Sequence, residues 1–310
     1  MNDHILVKRY ITHCCVENAM ANLCDHFKID FRPLFLFSWD LGFKTTAPIL
    51  ADNIHYYSNF DVCAEHYFEF AKLYLGLVCN AVNNDATDIT NLLIDGNIVL
   101  ITSNAYNLPW NSEVPRVSWP HTFTVKYDSV KKIINVTDSF YSDDIVDLEN
   151  LNEFNIDQCF SVKIAQHIQN EITPVLVRDR YFDILKYNNK NEIYNSIEKF
   201  SNWLDVVDSI EKLTNDPSYS SNALLVRKLR TIANGRYNTK CLFEYLRWPD
   251  KYINAMSNIH IKWELVKNMF IKIIISKKLE LISKIKKELL IIANLERNLC
   301  HEIVKEEDSL

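Results

Sequence analysis

The hydrophobic pattern of the chain changes its period near residue 165, and this change limits the fold more than any other feature of the sequence. Before it, short β-branched runs stand among amphipathic helical segments. After it, apolar residues recur at helical spacing almost to the end of the chain. The sequence therefore predicts an α+β fold: a domain with antiparallel strands at residues 1–160, followed by an all-helical C-terminal domain at residues 161–310.

The first domain is predicted to contain a β-hairpin among its helices. Residues 14–28 carry apolar side chains at steps of four, three and four, which predicts an amphipathic helix. Two β-branched segments flank a turn at Asp128-Ser129, so His121 should enter the hairpin and Asp138 should leave it. The other predicted elements are helices at 62–82 and 85–94, strands at 97–102, 121–127 and 132–137, and C-terminal helices at 193–213, 221–234, 239–256 and 258–306.

The last predicted helix has an apolar stripe at near-heptad spacing. Its members are Ile282, Ile285, Leu289, Ile292, Leu299 and Ile303. Such a stripe suits packing against other helices of the same chain, which we favour, or a contact between the two copies of a homodimer.

Composition argues against several classes of site. With only four glycines, the chain has neither G-x-G-x-x-G nor G-x-x-x-x-G-K, so no phosphate-binding loop is predicted. The eight cysteines form no C-x-x-C pair. We therefore expect reduced thiols, with no metal site and no bound cofactor. No signal-peptide pattern or long uncharged apolar run occurs, so we expect a cytoplasmic protein that does not enter a membrane.

Charge is divided unequally along the chain. Residues 1–160 contain 10 Lys and Arg against 21 Asp and Glu, whereas residues 161–310 contain 24 against 19. The basic excess of the second part is too mild, and too poor in interleaved aromatic residues, to predict nucleic-acid binding. It fits either solvated helix faces or a surface that attracts an acidic protein.

Three residues have the chemistry of a cysteine-nucleophile site. Cys14 opens the first predicted helix, where the helix dipole favours a thiolate. Such a thiol needs a base, and the base needs a third group to hold it. The hairpin offers both, so we predict Cys14 as the nucleophile, His121 as its base and Asp138 as the residue that orients the base. The neighbouring Cys15 remains an alternative nucleophile.

Short motifs in the same region resemble the butirosin biosynthesis protein H family. They are Thr12-His13-Cys14 at the helix start, N-A-Y-N-L-P-W at 104–110, P-H-T-F-T-V at 120–125 and I-N-V-T-D at 134–138. The resemblance covers roughly residues 10 to 142. It implies a papain-like catalytic domain with the same triad, and it makes His13, Cys15, Asn104 and Tyr106 candidate neighbours of the site.

The resemblance also implies an activity. The chain would be an acyltransferase that moves an acyl or aminoacyl group from an acyl carrier protein, where phosphopantetheine holds it as a thioester, to a small-molecule amine. Such reactions belong to antibiotic or nonribosomal peptide biosynthesis. Two alternatives stay open: a cysteine peptidase or amidase on the same fold, and a non-catalytic scaffold protein of a biosynthetic cluster.

Overall fold

The computed structural model describes residues 5, 7–8, 15–55, 64–112, 118–165, 172–190, 194–217 and 223–307. The chain forms two units, Met1–Leu34 with Ala64–Ile172 and Phe35–Cys63 with Thr173–Leu310. The segment Phe35–Cys63 thus belongs to the second unit, although it lies within the first 160 residues of the sequence.

The described elements alternate in the first half of the chain and are mainly helical in the second. The strands are β1 (Gly42–Phe43), β2 (Ile54–His55), β3 (Leu77–Ala81), β4 (Ile98–Asn104), β5 (Pro120–Asp128), β6 (Ile133–Thr137), β7 (Val146–Leu148) and β8 (Gln158–Ile164). The helices are α1 (Cys15–Phe27), α2 (Leu50–Asn53), α3 (Ala64–Leu75), α4 (Ala86–Ile94), α5 (Pro174–Lys190), α6 (Tyr194–Trp203), α7 (Leu224–Tyr245), α8 (Asp250–Ser276) and α9 (Ile282–Glu307).

A six-stranded antiparallel sheet in the order β3-β8-β4-β5-β6-β7 organises the first unit. One face carries an apolar cluster that includes Ile89 and Leu93 of α4 and Phe123 and Val125 of β5. The helix α1 packs against β5, and α3 packs against β3. The sheet therefore has its apolar surface covered by helices, as a half-buried antiparallel sheet requires.

The hairpin of β5 and β6 brings the two ends of its arms together. The side chain of Asp128 accepts hydrogen bonds from the backbone N–H groups of Val130 and Lys131, and this turn closes the hairpin. Thr124 pairs with Thr137, the last residue of β6. The chain beyond β6 therefore passes beside the first residues of β5, where His121 lies.

The second unit is built from α5 to α9 together with the segment 35–63, and a buried ion pair lies in its core. Arg236 and Glu296 have side chains no more than 1% exposed, and Arg236 donates two hydrogen bonds of 2.9 Å to the carboxylate. The same carboxylate accepts from the indole N–H groups of Trp39 and Trp263 at 2.9 and 2.8 Å. The carboxylate of Glu296 thus accepts four hydrogen bonds, which offset the cost of removing its charge from water.

Gly235 of α7 lies next to the backbone of the segment 35–63. A Cβ atom at this position would come within 2.4 Å of the carbonyl oxygen of Ser38. Glycine therefore permits the close approach of the helix to that segment.

The predicted α+β class, the antiparallel strands and the helical C-terminal region are confirmed. The helix predicted at 62–82 was too long, because Gly76 adopts φ +67° and the chain continues as β3. The boundary predicted between 234 and 239 is wrong, since α7 runs through it. The helix predicted at 258–306 divides at Lys277, which has φ +55°.

The apolar stripe of the last helix is used within the chain. Ile285, Leu289, Ile292, Leu299 and Ile303 are all buried in the second unit, where α9 packs against α6 and α8. Among the described helices, none combines the length and the apolarity that a bilayer crossing requires.

Candidate active site

A buried His–Asp pair lies where the hairpin arms meet. His121 is the second residue of β5, opposite Ser103 of β4, and Asp138 directly follows β6. The Nε2 atom of His121 lies 2.9 Å from Oδ2 of Asp138, and both side chains are 1% exposed. The aromatic rings of Phe123, Phe140 and Tyr141 surround the imidazole. Water is thus kept from the pair, which strengthens the interaction between them.

The carboxylate of Asp138 is held by two further donors. The indole Nε1–H of Trp110 donates to Oδ2 at 2.7 Å, and the backbone N–H of Phe140 donates to Oδ1 at 3.1 Å. Three groups thus contact one carboxylate and fix its plane, so that Oδ2 faces the imidazole.

Cys15 is the second group that acts on the pKa of His121. Burial by itself lowers the pKa of His121, but hydrogen bonds to Asp138 and to Cys15, together with the negative charges of both groups, raise it to about 9. Because Nε2 is engaged by Asp138, Nδ1 is the ring nitrogen left for the thiol. Near neutral pH the raised pKa therefore favours the imidazolium form of His121.

Cys15 is the first described residue of α1, and the first backbone N–H groups of a helix have no partner within it. The dipole of these groups stabilises negative charge on a sulfur at that end. Cys15 is partly exposed, whereas the two members of the His–Asp pair are buried. The thiol is thus more accessible to solvent than the imidazole and the carboxylate.

A buried polar contact joins α1 to the loop that carries Asp138. Asn18 and Asn22 follow Cys15 by three and seven residues, so all three lie along one side of the helix. The Nδ2 atom of Asn22 donates to Oγ of Ser139 at 3.0 Å, and that hydroxyl lies 3.4 Å from Oδ1 of Asn18. The side chains concerned are at most 3% exposed. The contact fixes the position of the helix, and therefore of Cys15, relative to the His–Asp pair.

Other described cysteines lack this environment. Burial raises the pKa of Cys24 well above its ordinary value, that of Cys79 to about 12 and that of Cys300 to about 11. Burial also raises the pKa of Cys159. These four thiols are therefore protonated at neutral pH and suited to packing rather than to nucleophilic attack.

The structure brings together His121, Asp138 and Cys15 of the residues predicted from sequence. The predicted nucleophile Cys14 and its neighbour His13 lie outside the described residues. Asn104 accepts a hydrogen bond from the backbone N–H of Tyr106 and donates to Ser118, which holds the loop after β4.

Tyr106 itself is 54% exposed. Trp110 was not among the predicted site residues, although it ends the N-A-Y-N-L-P-W motif. That motif was the only signal that could have pointed to it.

Across the parts of the chain that the structure describes, no group of three or more His, Cys, Asp or Glu residues is arranged to hold a metal ion. No protein-family model and no curated protein matches the chain.

Proposed function

We propose that this chain is a cysteine-dependent acyltransferase with a papain-like site, in which Cys15 is the nucleophile, His121 the base and Asp138 the orienting residue. The observation that carries the proposal is the buried His121–Asp138 pair beside a partly exposed thiol at the start of α1. A thiol, an imidazole and a carboxylate in this order are the parts that nucleophilic cysteine catalysis needs.

The first half-reaction loads the enzyme. The thiolate of Cys15 attacks the carbonyl carbon of a thioester carried by phosphopantetheine, and the carbonyl oxygen becomes an oxyanion. A backbone N–H group in the first turn of α1 would stabilise this oxyanion. When the carbon–sulfur bond of the donor breaks, His121 gives its proton to the departing thiolate, and the acyl group remains on Cys15 as a thioester.

The second half-reaction transfers the acyl group to an amine. The amine nitrogen attacks the acyl-cysteine, and neutral His121 accepts the proton that the nitrogen loses. Breakage of the carbon–sulfur bond then regenerates the thiolate, and an amide is formed. Asp138 holds the imidazole in one orientation and stabilises the imidazolium in both halves of the cycle.

The donor is proposed to be an acyl carrier protein, and the acceptor a small-molecule amine. The support is the family resemblance of the motifs around His121 and Asp138, together with the basic excess of residues 161–310. If docking is electrostatic, acyl transfer from the carrier protein should slow as salt rises past physiological strength, since exposed charges are screened over about 8 Å at 0.15 M. Transfer from a small thioester should hardly change.

The nucleophile is tested by loading purified protein with an acyl thioester of a small thiol and measuring its intact mass. We expect an acyl adduct on the wild-type protein and on Cys14→Ala, and none on Cys15→Ala. Cys241→Ala is the matched control, because Cys241 is also a partly exposed cysteine outside any disulfide. An adduct that survives on Cys15→Ala and disappears on Cys14→Ala would transfer the role to Cys14.

Adding amines to the loaded protein tests the reaction class. Formation of an amide, with little free acid, supports the transferase. Release of free acid alone, or rapid cleavage of simple peptides, would assign the site to an amidase or peptidase. Failure to load any cysteine, together with slow reaction of Cys15 with iodoacetamide at neutral pH, would favour the non-catalytic scaffold.

A further inference from the structure

Trp110 occupies an unusual position relative to the His–Asp pair. Its indole N–H and the imidazole of His121 both lie within hydrogen-bond distance of the same oxygen, Oδ2 of Asp138, at 2.7 and 2.9 Å. The ring is anchored from behind by edge-to-face contacts with Phe123 and Phe154, at 5.1 and 5.5 Å between centroids. The indole therefore approaches the oxygen from a fixed direction.

We propose that Trp110 is a positioning residue that sets the basicity of His121 by sharing the carboxylate oxygen of Asp138. This assignment deepens the proposed function, on which its catalytic meaning rests.

The physical reason is competition for one acceptor. A neutral N–H group that donates to Oδ2 withdraws negative charge from that oxygen, and less charge then faces the imidazolium. Without this donor, Asp138 would stabilise the protonated imidazole more strongly, and His121 would hold its proton to higher pH. A base that must accept a proton from an amine in the second half-reaction works best when its pKa is not far above the working pH.

The first test replaces the indole with a ring that cannot donate. Trp110→Phe keeps an aromatic ring against Phe123 and Phe154 but removes the N–H group. Trp119→Phe is the matched control, because Trp119 lies in the same region and donates its N–H to Tyr141 at 3.0 Å rather than to Asp138. NMR titration of histidine-labelled protein follows the imidazole, and the signal of His121 among nine histidines is assigned by its loss in His121→Gln.

We expect the pKa of His121 to rise by about half a unit to one unit in Trp110→Phe and to change much less in Trp119→Phe. An unchanged or lowered pKa in Trp110→Phe would overturn the proposal. If Trp110 served only to pack the loop, Trp110→Phe would lower the stability of the protein without a selective rise in the pKa of His121.

A second measurement needs no variant that could fail to fold. In the wild-type protein, the indole N–H resonance of Trp110, assigned among six tryptophans by its proximity to Phe154, should move with the same midpoint as the titration of His121. An indole resonance that does not change as His121 titrates would also contradict the proposal that Trp110 acts through the oxygen it shares with His121.

Neither measurement depends on acyl transfer. If the wild-type protein fails to load an acyl group while both NMR results hold, the proposed function is lost and the role of Trp110 in tuning His121 stands. If loading succeeds and the NMR results fail, only the role of Trp110 is lost.

Discussion

Replacing His121 with glutamine should remove a pH-dependent contribution from the stability of the first unit. The pKa of His121 is raised from 6.5 to about 9 in the folded protein. A group whose pKa is higher in the folded state stabilises the fold fully below its unfolded pKa, and this contribution is lost as pH rises through the folded value. The stabilisation is therefore present at pH 6 and absent above about pH 9.

The size of the effect follows from the interval between the unfolded pKa of His121, 6.5, and its folded pKa of about 9. At about 1.4 kcal/mol per pH unit, the interval corresponds to about 3 kcal/mol. The side chain is 1% exposed, so screening by solvent takes little from this figure. The free energy of unfolding of the wild-type protein should therefore fall relative to that of His121→Gln by about 3 kcal/mol between pH 6 and pH 10.

Urea unfolding at one-unit pH steps, followed by circular dichroism under reducing conditions, measures this difference. His26→Gln is the matched control, since His26 lies on α1 in the same unit. Its curve shows the effect of losing an imidazole from this unit while the His121–Asp138 pair is kept. A difference between wild type and His121→Gln that stays constant from pH 6 to pH 10 would refute the raised pKa and, with it, the ionised pair at the site.

Three further substitutions test the fold around the site and the core of the second unit. Ser139→Ala removes the hydroxyl that accepts from a buried amide, so it should cost about 1–3 kcal/mol in chemical denaturation and slow alkylation of the site thiol. Glu296→Ala leaves Arg236 buried without its partner and should cost about 3–5 kcal/mol, whereas replacing both residues with apolar ones should cost less. Gly235→Ala should lower the melting temperature, although alanine favours a helix by about 1 kcal/mol, because its Cβ would meet the carbonyl of Ser38.

The hairpin that carries His121 and Asp138 could be predicted from sequence because its signal is local. Two β-branched runs flank a turn, and alternation along each arm decides which residues meet. The strands β3, β7 and β8 were missed, since they are short or mix polar with apolar residues on both faces. The partners of β3 and β8 are distant in sequence, and no local pattern specifies them.

The choice between the two candidate cysteines of the site also depends on contacts between distant parts of the sequence. Adjacent residues at a helix start point about 100° apart, so the choice between Cys14 and Cys15 depends on how α1 is rotated against the sheet. That rotation is fixed by contacts such as the hydrogen bond from Asn22 to Ser139. These two residues are 117 positions apart in sequence, so no local pattern predicts their contact. The contact of Trp110 with Asp138 is likewise a product of the folded loop.

The composition of the second unit from two separate stretches of chain has a consequence during synthesis. Residues 35–63 leave the ribosome about 110 residues before Thr173, where the remainder of their unit begins. Translation runs at roughly 5–20 residues per second, so the segment lacks its helical partners for many seconds. The side chains left without these partners include Leu36, Leu41 and Leu50, each at most 1% exposed in the finished protein. During that interval this segment is a natural substrate for chaperones, and a chain cut after the β-sheet would present the same apolar residues permanently.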